Sequence, residues 1–176
     1  QSFDVKHQFN KGDDSDSDTS GYAKVSFVKT CKVMIVDDSA TVRSLFQKVF
    51  TQNGLEVVGV AVDPYDAREK IVQLKPDVIT LDIEMPKMSG VAFLEALMKA
   101  QPMPVVMVSS LGSQGEAALR SLELGAIEFV HKPSQFDPMV LKQLAEVLVG
   151  KVRAAASVNV LARRKQIQSA IQQSAA

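Results

Sequence analysis

Apolar and polar positions switch period repeatedly along this chain. KVMIV (32–36) is a short apolar run rich in β-branched residues, as expected of a strand buried on both sides. It gives way to SATVRSLFQKVFTQNG (39–54), where Val42, Leu45, Phe46, Val49 and Phe50 recur at helical spacing. Ser39 is a candidate N-cap there, and Asn53-Gly54 a stop signal. The same alternation predicts strands at 56–61, 77–81, 104–108 and 127–130, with helices near 64–74, 90–100 and 114–124. A last helix is predicted from Asp137-Pro138 to the mid-150s, with Met139, Val140, Leu144, Val147 and Leu148 on its apolar side. Five strands and five helices in strict alternation predict an α/β domain: a five-stranded parallel sheet, doubly wound, with helices on both faces.

The two ends of the chain lack this rhythm. Residues 1–29 include NKGDDSDSDTSG (10–21), which has almost nothing to bury and reads as a disordered acidic tail. Its aspartates lack the glycine and distal glutamate of a calcium loop in register, so a solvated segment is preferred. Residues 30–155 form the predicted domain. Residues 156–176 read as a basic linker or a helical tail that docks on a partner, and the linker or solvated helix is preferred. Across 151–176 there are five basic residues and no acidic one.

One predicted strand poses a chemical question. VITLDIEMP (78–86) carries an apolar run into Asp82, and a carboxylate buried at a strand end costs several kcal/mol unless something meets it. Parallel sheets gather ligands outside the carboxyl ends of their strands. There the first strand ends in Asp37-Asp38, the third in Asp82, the fourth in Ser109-Ser110, and the fifth leads to Lys132-Pro133. Brought to one edge, three carboxylates and one ammonium make a net negative pocket that suits Mg²⁺, which keeps waters and still binds phosphate. Asp82 could then act as a nucleophile toward a phosphoryl group, with Lys132 and the Ser109 hydroxyl contacting the transferring oxygens. Taken singly, Asp38 is a cap or a solvated loop residue and Lys132 a surface lysine; their co-occurrence at four strand ends changes that reading.

Composition narrows the classes. The chain has 176 residues, 46% hydrophobic and 23% charged, enough for one well-packed domain. Lys plus Arg equals Asp plus Glu, 20 against 20, so no global field draws it to nucleic acid or a membrane surface. The lone Cys31 excludes an intrachain disulfide. No run approaches the roughly 20 apolar residues that span a bilayer, and nothing resembles a signal peptide, so a cytoplasmic protein is expected.

MIVDDSATVRSLF, PDVITLDIEMPKMSG, PVVMVSS and GAIEFVHKP together resemble the receiver domain of two-component response regulators, over residues 31 to about 150. LDIEMPKMSG, MPVVMVSSL and LELGAIEFVHKP are similar, more narrowly, to the receiver half of chemotaxis protein-glutamate methylesterases. The resemblance implies a flavodoxin-like (βα)5 fold and a phosphoacceptor at Asp82. It implies Mg²⁺, or Mn²⁺, bound by Asp82, Asp38 and the backbone carbonyl of Glu84, with Asp37 acting largely through water. Ser109 falls at the hydroxyl position, Lys132 at the phosphate-pairing lysine, and Phe129 at the aromatic switch. The bland alternative for Phe129 is a fixed core aromatic. The family pattern also implies a cis peptide before Pro133. The implied partners are a sensor histidine kinase and an output domain or downstream protein, with a weak homodimer on phosphorylation allowed; nucleic acid and membrane are not expected. The switched surface would be the face of the fourth helix, fifth strand and fifth helix.

An esterase is not expected within this chain. Only about 26 residues follow position 150, and the only histidines are His7 and His131. Two rivals to a methylesterase-coupled switch stand at this point. One is a stand-alone receiver acting through protein contacts, its acidic pocket active or vestigial. The other is a haloacid-dehalogenase-type phosphatase, which needs an acid two residues after its aspartate; Glu84 stands there, but MPKMSG follows it.

Overall fold

The computed structural model describes residues 29–110 and 115–174, and the predicted acidic tail falls almost wholly outside them. Five parallel strands, β1 (Lys32–Val36), β2 (Glu56–Ala61), β3 (Val78–Asp82), β4 (Val105–Ser110) and β5 (Glu128–Lys132), form one sheet in the order β2-β1-β3-β4-β5. The helices are α1 (Ala40–Gln52), α2 (Pro64–Leu74), α3 (Gly90–Ala100), α4 (Glu116–Leu124), α5 (Pro138–Ala156) and α6 (Val160–Ser174). α1 and α5 pack together on one face, while α2, α3 and α4 cover the other. The doubly wound five-stranded parallel sheet is thus as expected.

The apolar runs became strands because both faces are covered: Val33, Met34, Ile35, Val78, Ile79, Val105, Val106 and Met107 are fully buried. Each such side chain contributes on the order of 1.5–3 kcal/mol relative to exposure. Helix starts follow their caps. The Ser39 hydroxyl accepts from Val42 N–H, and Asp63 and Asp137 cap helices that have proline in the first turn. Gly125, at φ +115°, closes α4 in the left-handed region that favours glycine.

Three strands run further than the apolar pattern predicts. Parallel pairing continues through Asp82 opposite Val108, Ser109 opposite His131, and Ser110 opposite Lys132. The ladder bonds backbone groups whatever the side chain, so these polar residues sit on the sheet and not in the loops after it. The tail beyond 156 is a sixth helix, mostly exposed, with Val160 buried and Arg164 bonded to the Met98 carbonyl in the last turn of α3. Among the described residues no helix is long and apolar enough to cross a membrane.

Candidate active site

The strand order reverses direction between β1 and β3, and the crevice at such a point collects the groups that end the two strands. Val36 pairs with Leu81, so Asp37 leaves β1 beside Asp82 at the end of β3. Oxygens of Asp37, Asp38 and Asp82 lie within 4.8 Å of one another. Lys132, at the end of β5, reaches across β4: its Nζ lies 2.8 Å from Asp37 Oδ2 and 3.1 Å from Asp82 Oδ1. The cis peptide expected before Pro133 is not present, for every described peptide bond is trans. The lysine side chain is long enough to span the neighbouring strand from its own place in the ladder.

Asp37 and Asp82 are both 2% exposed, whereas Asp38 is open to solvent. Burial, and then the charge of Asp37, push the Asp82 carboxyl up to about 6, against the opposing effect of Lys132 and the Glu84 N–H. Burial disfavours the Lys132 ammonium, but the hydrogen bond and charge of Asp37, with the charge of Asp82, hold it above the ordinary lysine value. Three carboxylates around one ammonium leave excess negative charge, and the donors are all hard oxygens. That set fits a divalent cation of the Mg²⁺ type.

The remaining predicted residues take different places. Ser109 is fully buried and its Oγ donates to the Ser110 carbonyl at 3.1 Å. Glu84 N–H donates to Asp82 Oδ1 at 3.3 Å, while its exposed carboxylate accepts from Ser110 Oγ at 2.9 Å. Phe129 lies outside the acidic cluster. Its half-buried ring meets His131 edge-on, with centroids 4.9 Å apart, and borders a cleft of about 290 Å³ lined by Val140, Leu144 and Val147 of α5.

Sequence reasoning missed three contributors. Arg43 Nη1 donates to the carbonyls of Asp37 and Asp38, at 2.8 and 2.9 Å. Lys87, at φ +70° in the loop after Asp82, pairs with Asp63 at the start of α2. Gly90 opens α3 so close to β3 that a Cβ there would lie 1.9 Å from the Asp82 carbonyl oxygen. A glycine in the first turn of a helix, where no positive φ calls for one, was the readable signal for that approach. An arginine one turn past an Asp-Asp pair was another.

Comparison with known proteins agrees with this geometry. The family model for the response regulator receiver domain matches residues 33–145. Protein-glutamate methylesterase/protein-glutamine glutaminase of Methylobacillus flagellatus is 50% identical over 137 residues, covering 77% of this chain and 39% of that protein. The enzyme of the same name from Thiobacillus denitrificans is 49% identical over 139 residues. The chain therefore spans about two fifths of the length of these curated relatives. Among solved structures, the response regulator domain of Thermotoga maritima CheB is 40% identical with a TM-score of 0.67, covering 74% of this chain and 99% of that one. The receiver domain of NtrX from Brucella abortus is 30% identical with a TM-score of 0.56, covering 67% and 98%. The phosphatase alternative is not favoured, since Glu84 turns its carboxylate to Ser110 and the matches are to receivers. Fold, acidic crevice and family model agree: the chain belongs to the response regulator receiver domain family.

Proposed function

We propose that this receiver accepts a phosphoryl group onto Asp82 from a phosphohistidine of a sensor histidine kinase. The observation that carries the reading is the convergence of Asp37, Asp38 and Asp82 with the Lys132 ammonium. An Asp82 oxygen attacks phosphorus, the P–N bond to the donor imidazole breaks, and its electron pair leaves with the ring nitrogen. The Lys132 and Glu84 contacts both use Oδ1, so Oδ2 is the attacking oxygen in this proposal. Lys132 faces the charge on the phosphoryl oxygens, and Ser109 Oγ exchanges its carbonyl acceptor for one of them. Asp37, Asp38, Asp82 and the Glu84 carbonyl are the candidate ligands for Mg²⁺, with Mn²⁺ a substitute of like chemistry. Such an ion, when bound, neutralises phosphoryl oxygens and so favours attack by a carboxylate.

Phosphorylation then acts through the face of α4, β5 and α5. As Ser109 turns to the phosphoryl group, Phe129 leaves the cleft beside α5 for the core, and the α5 surface repacks. The output we propose is a protein-glutamate methylesterase domain of a cytoplasmic chemotaxis system, joined through the segment that contains α6. The support is the near 50% identity to proteins of that name over the receiver region alone.

Intact-mass measurement tests the central step. Incubation with acetyl phosphate and Mg²⁺ is expected to add about 80 Da, the mass of one phosphoryl group, and Asp82→Asn to remove that gain. Wild-type protein that stays unmodified overturns the reading.

A further inference from the structure

We propose that Arg43 is the positioning residue of this site: it aims the Asp37 carboxylate, and through it Lys132, without touching either side chain. The inference rests on the functional reading above for its consequences and on geometry alone for its contacts. Arg43 lies in the first turn of α1, and one nitrogen, Nη1, donates to two successive carbonyls, Asp37 O at 2.8 Å and Asp38 O at 2.9 Å. A trans peptide points its C=O and N–H to opposite sides. Drawing the Asp38 carbonyl toward the guanidinium therefore turns the following N–H, that of Ser39, toward the crevice. There it donates to Asp37 Oδ1 at 2.9 Å, while the other oxygen, Oδ2, takes the Lys132 ammonium at 2.8 Å.

A chain of oriented bonds thus runs from Arg43 through the 38–39 peptide and Asp37 to Lys132 and Asp82. Each link uses one defined atom, so rotation of the Asp37 carboxylate is blocked at both oxygens. The arrangement gives a carboxylate only 2% exposed a partner on each oxygen, the Ser39 N–H on one and the Lys132 ammonium on the other. A charged donor polarises the peptide it binds, which strengthens the N–H bond on the far side. Lysine at position 43 supplies the charge but, being shorter and without the planar guanidinium, does not hold a donor nitrogen in the same place between the two carbonyls, so it is expected to restore part of the effect.

The test compares Arg43→Ala, Arg43→Lys and Phe46→Leu with the wild type. Phe46 is a buried α1 residue packed edge-on against Phe50, so its variant loosens the same helix without touching the acids. In metal-free protein, the Ser39 amide proton, drawn downfield by its carboxylate acceptor, is expected to move upfield in Arg43→Ala and partly return in Arg43→Lys. Calorimetric titration with Mg²⁺ is expected to give a dissociation constant raised about tenfold in Arg43→Ala, the usual cost of losing a group that orients a ligand, less in Arg43→Lys, and unchanged in Phe46→Leu. An Arg43→Ala protein that keeps the Ser39 shift overturns the proposal, as does a Phe46→Leu protein that reproduces both changes. If wild-type protein neither binds Mg²⁺ nor takes phosphoryl, the functional reading fails, and the Ser39 resonance alone decides the role of Arg43.

Discussion

Two aspartate–lysine pairs stand at the same edge of the sheet and behave in opposite ways. Asp63 caps α2, accepting from the N–H groups of Tyr65 and Asp66, and its second oxygen meets Lys87, whose side chain is 59% exposed. The Lys87 hydrogen bond, then the Asp66 N–H, hold the Asp63 carboxyl below the usual carboxylate range. Asp82 also has a lysine and an N–H, yet burial and the charge of Asp37 push it up to about 6. Asp63 is itself only 7% exposed, but the cost of that burial is outweighed by the Lys87 hydrogen bond and two N–H donors, with no second carboxylate paired to the same ammonium among the described residues. Asp82 lies in the core with a second carboxylate and shares its ammonium with it, so the cation is divided. A lysine neighbour by itself does not set the ionisation of an acid; desolvation and the number of acids per cation do. The first pair serves the fold, and the second stores unfavourable charge that a cation and a phosphoryl group can use.

The largest expected effect falls on the shared cation. Lys132→Ala leaves Asp37 and Asp82 without their ammonium, and the rate of phosphoryl uptake from acetyl phosphate, followed by intact mass, is expected to fall roughly 100-fold. The matching change at the rim, Lys87→Ala, is expected to leave that rate within a few-fold of wild type. Equal losses would erase the distinction between the pairs.

The stability effects of the two aspartates are expected to differ in sign. A carboxyl whose folded value lies above its unfolded value of 3.8 penalises the native state by an amount that grows as pH rises from 3.8 to about 6 and stays constant above that. Asp82→Asn should therefore raise the unfolding free energy at pH 7, measured in urea without metal, by on the order of 2 kcal/mol, and the gain should vanish near pH 4. Asp63 is held low, so its contribution is present above the unfolded value and lost as pH falls through the folded one. Asp63→Asn should lower stability at pH 7, by less than Asp82→Asn raises it, because asparagine still caps the helix. Added salt near 1 M, where the screening length is about 3 Å, should shrink the Asp63→Asn loss and leave the Asp82→Asn gain nearly intact. A salt response of equal size at both sites would show that the exposure of the paired lysine, 59% for Lys87 against 11% for Lys132, does not separate them.

Much of this was legible before any coordinates. Continuous apolar runs and the 3.6-residue period are local properties of the chain, so five strands, their helices and even the Asp137-Pro138 helix start could be read directly. The acids at strand ends were legible too, because a parallel sheet must bring its carboxyl ends to one edge. The apolar runs alone stop one or two residues short of the strands that end at Asp82, Ser110 and Lys132, since hydropathy marks burial while the ladder is built from backbone. α6 was open between linker and helix because most of its residues have no apolar face to reveal a partner; its anchor, Arg164 on the Met98 carbonyl, joins residues 66 positions apart.

The order of residues by itself determined the elements, the doubly wound class and the set of groups that could carry chemistry, because each depends on short-range pattern and on the handedness of strand–helix–strand connections. The tertiary structure decided which acid shares Lys132, that Asp82 is raised while Asp63 is lowered, that Gly90 must be without a side chain, and that Arg43 grips two carbonyls. Those outcomes depend on distance and on exclusion of water between residues far apart in the chain, and neither quantity exists until the strands have paired.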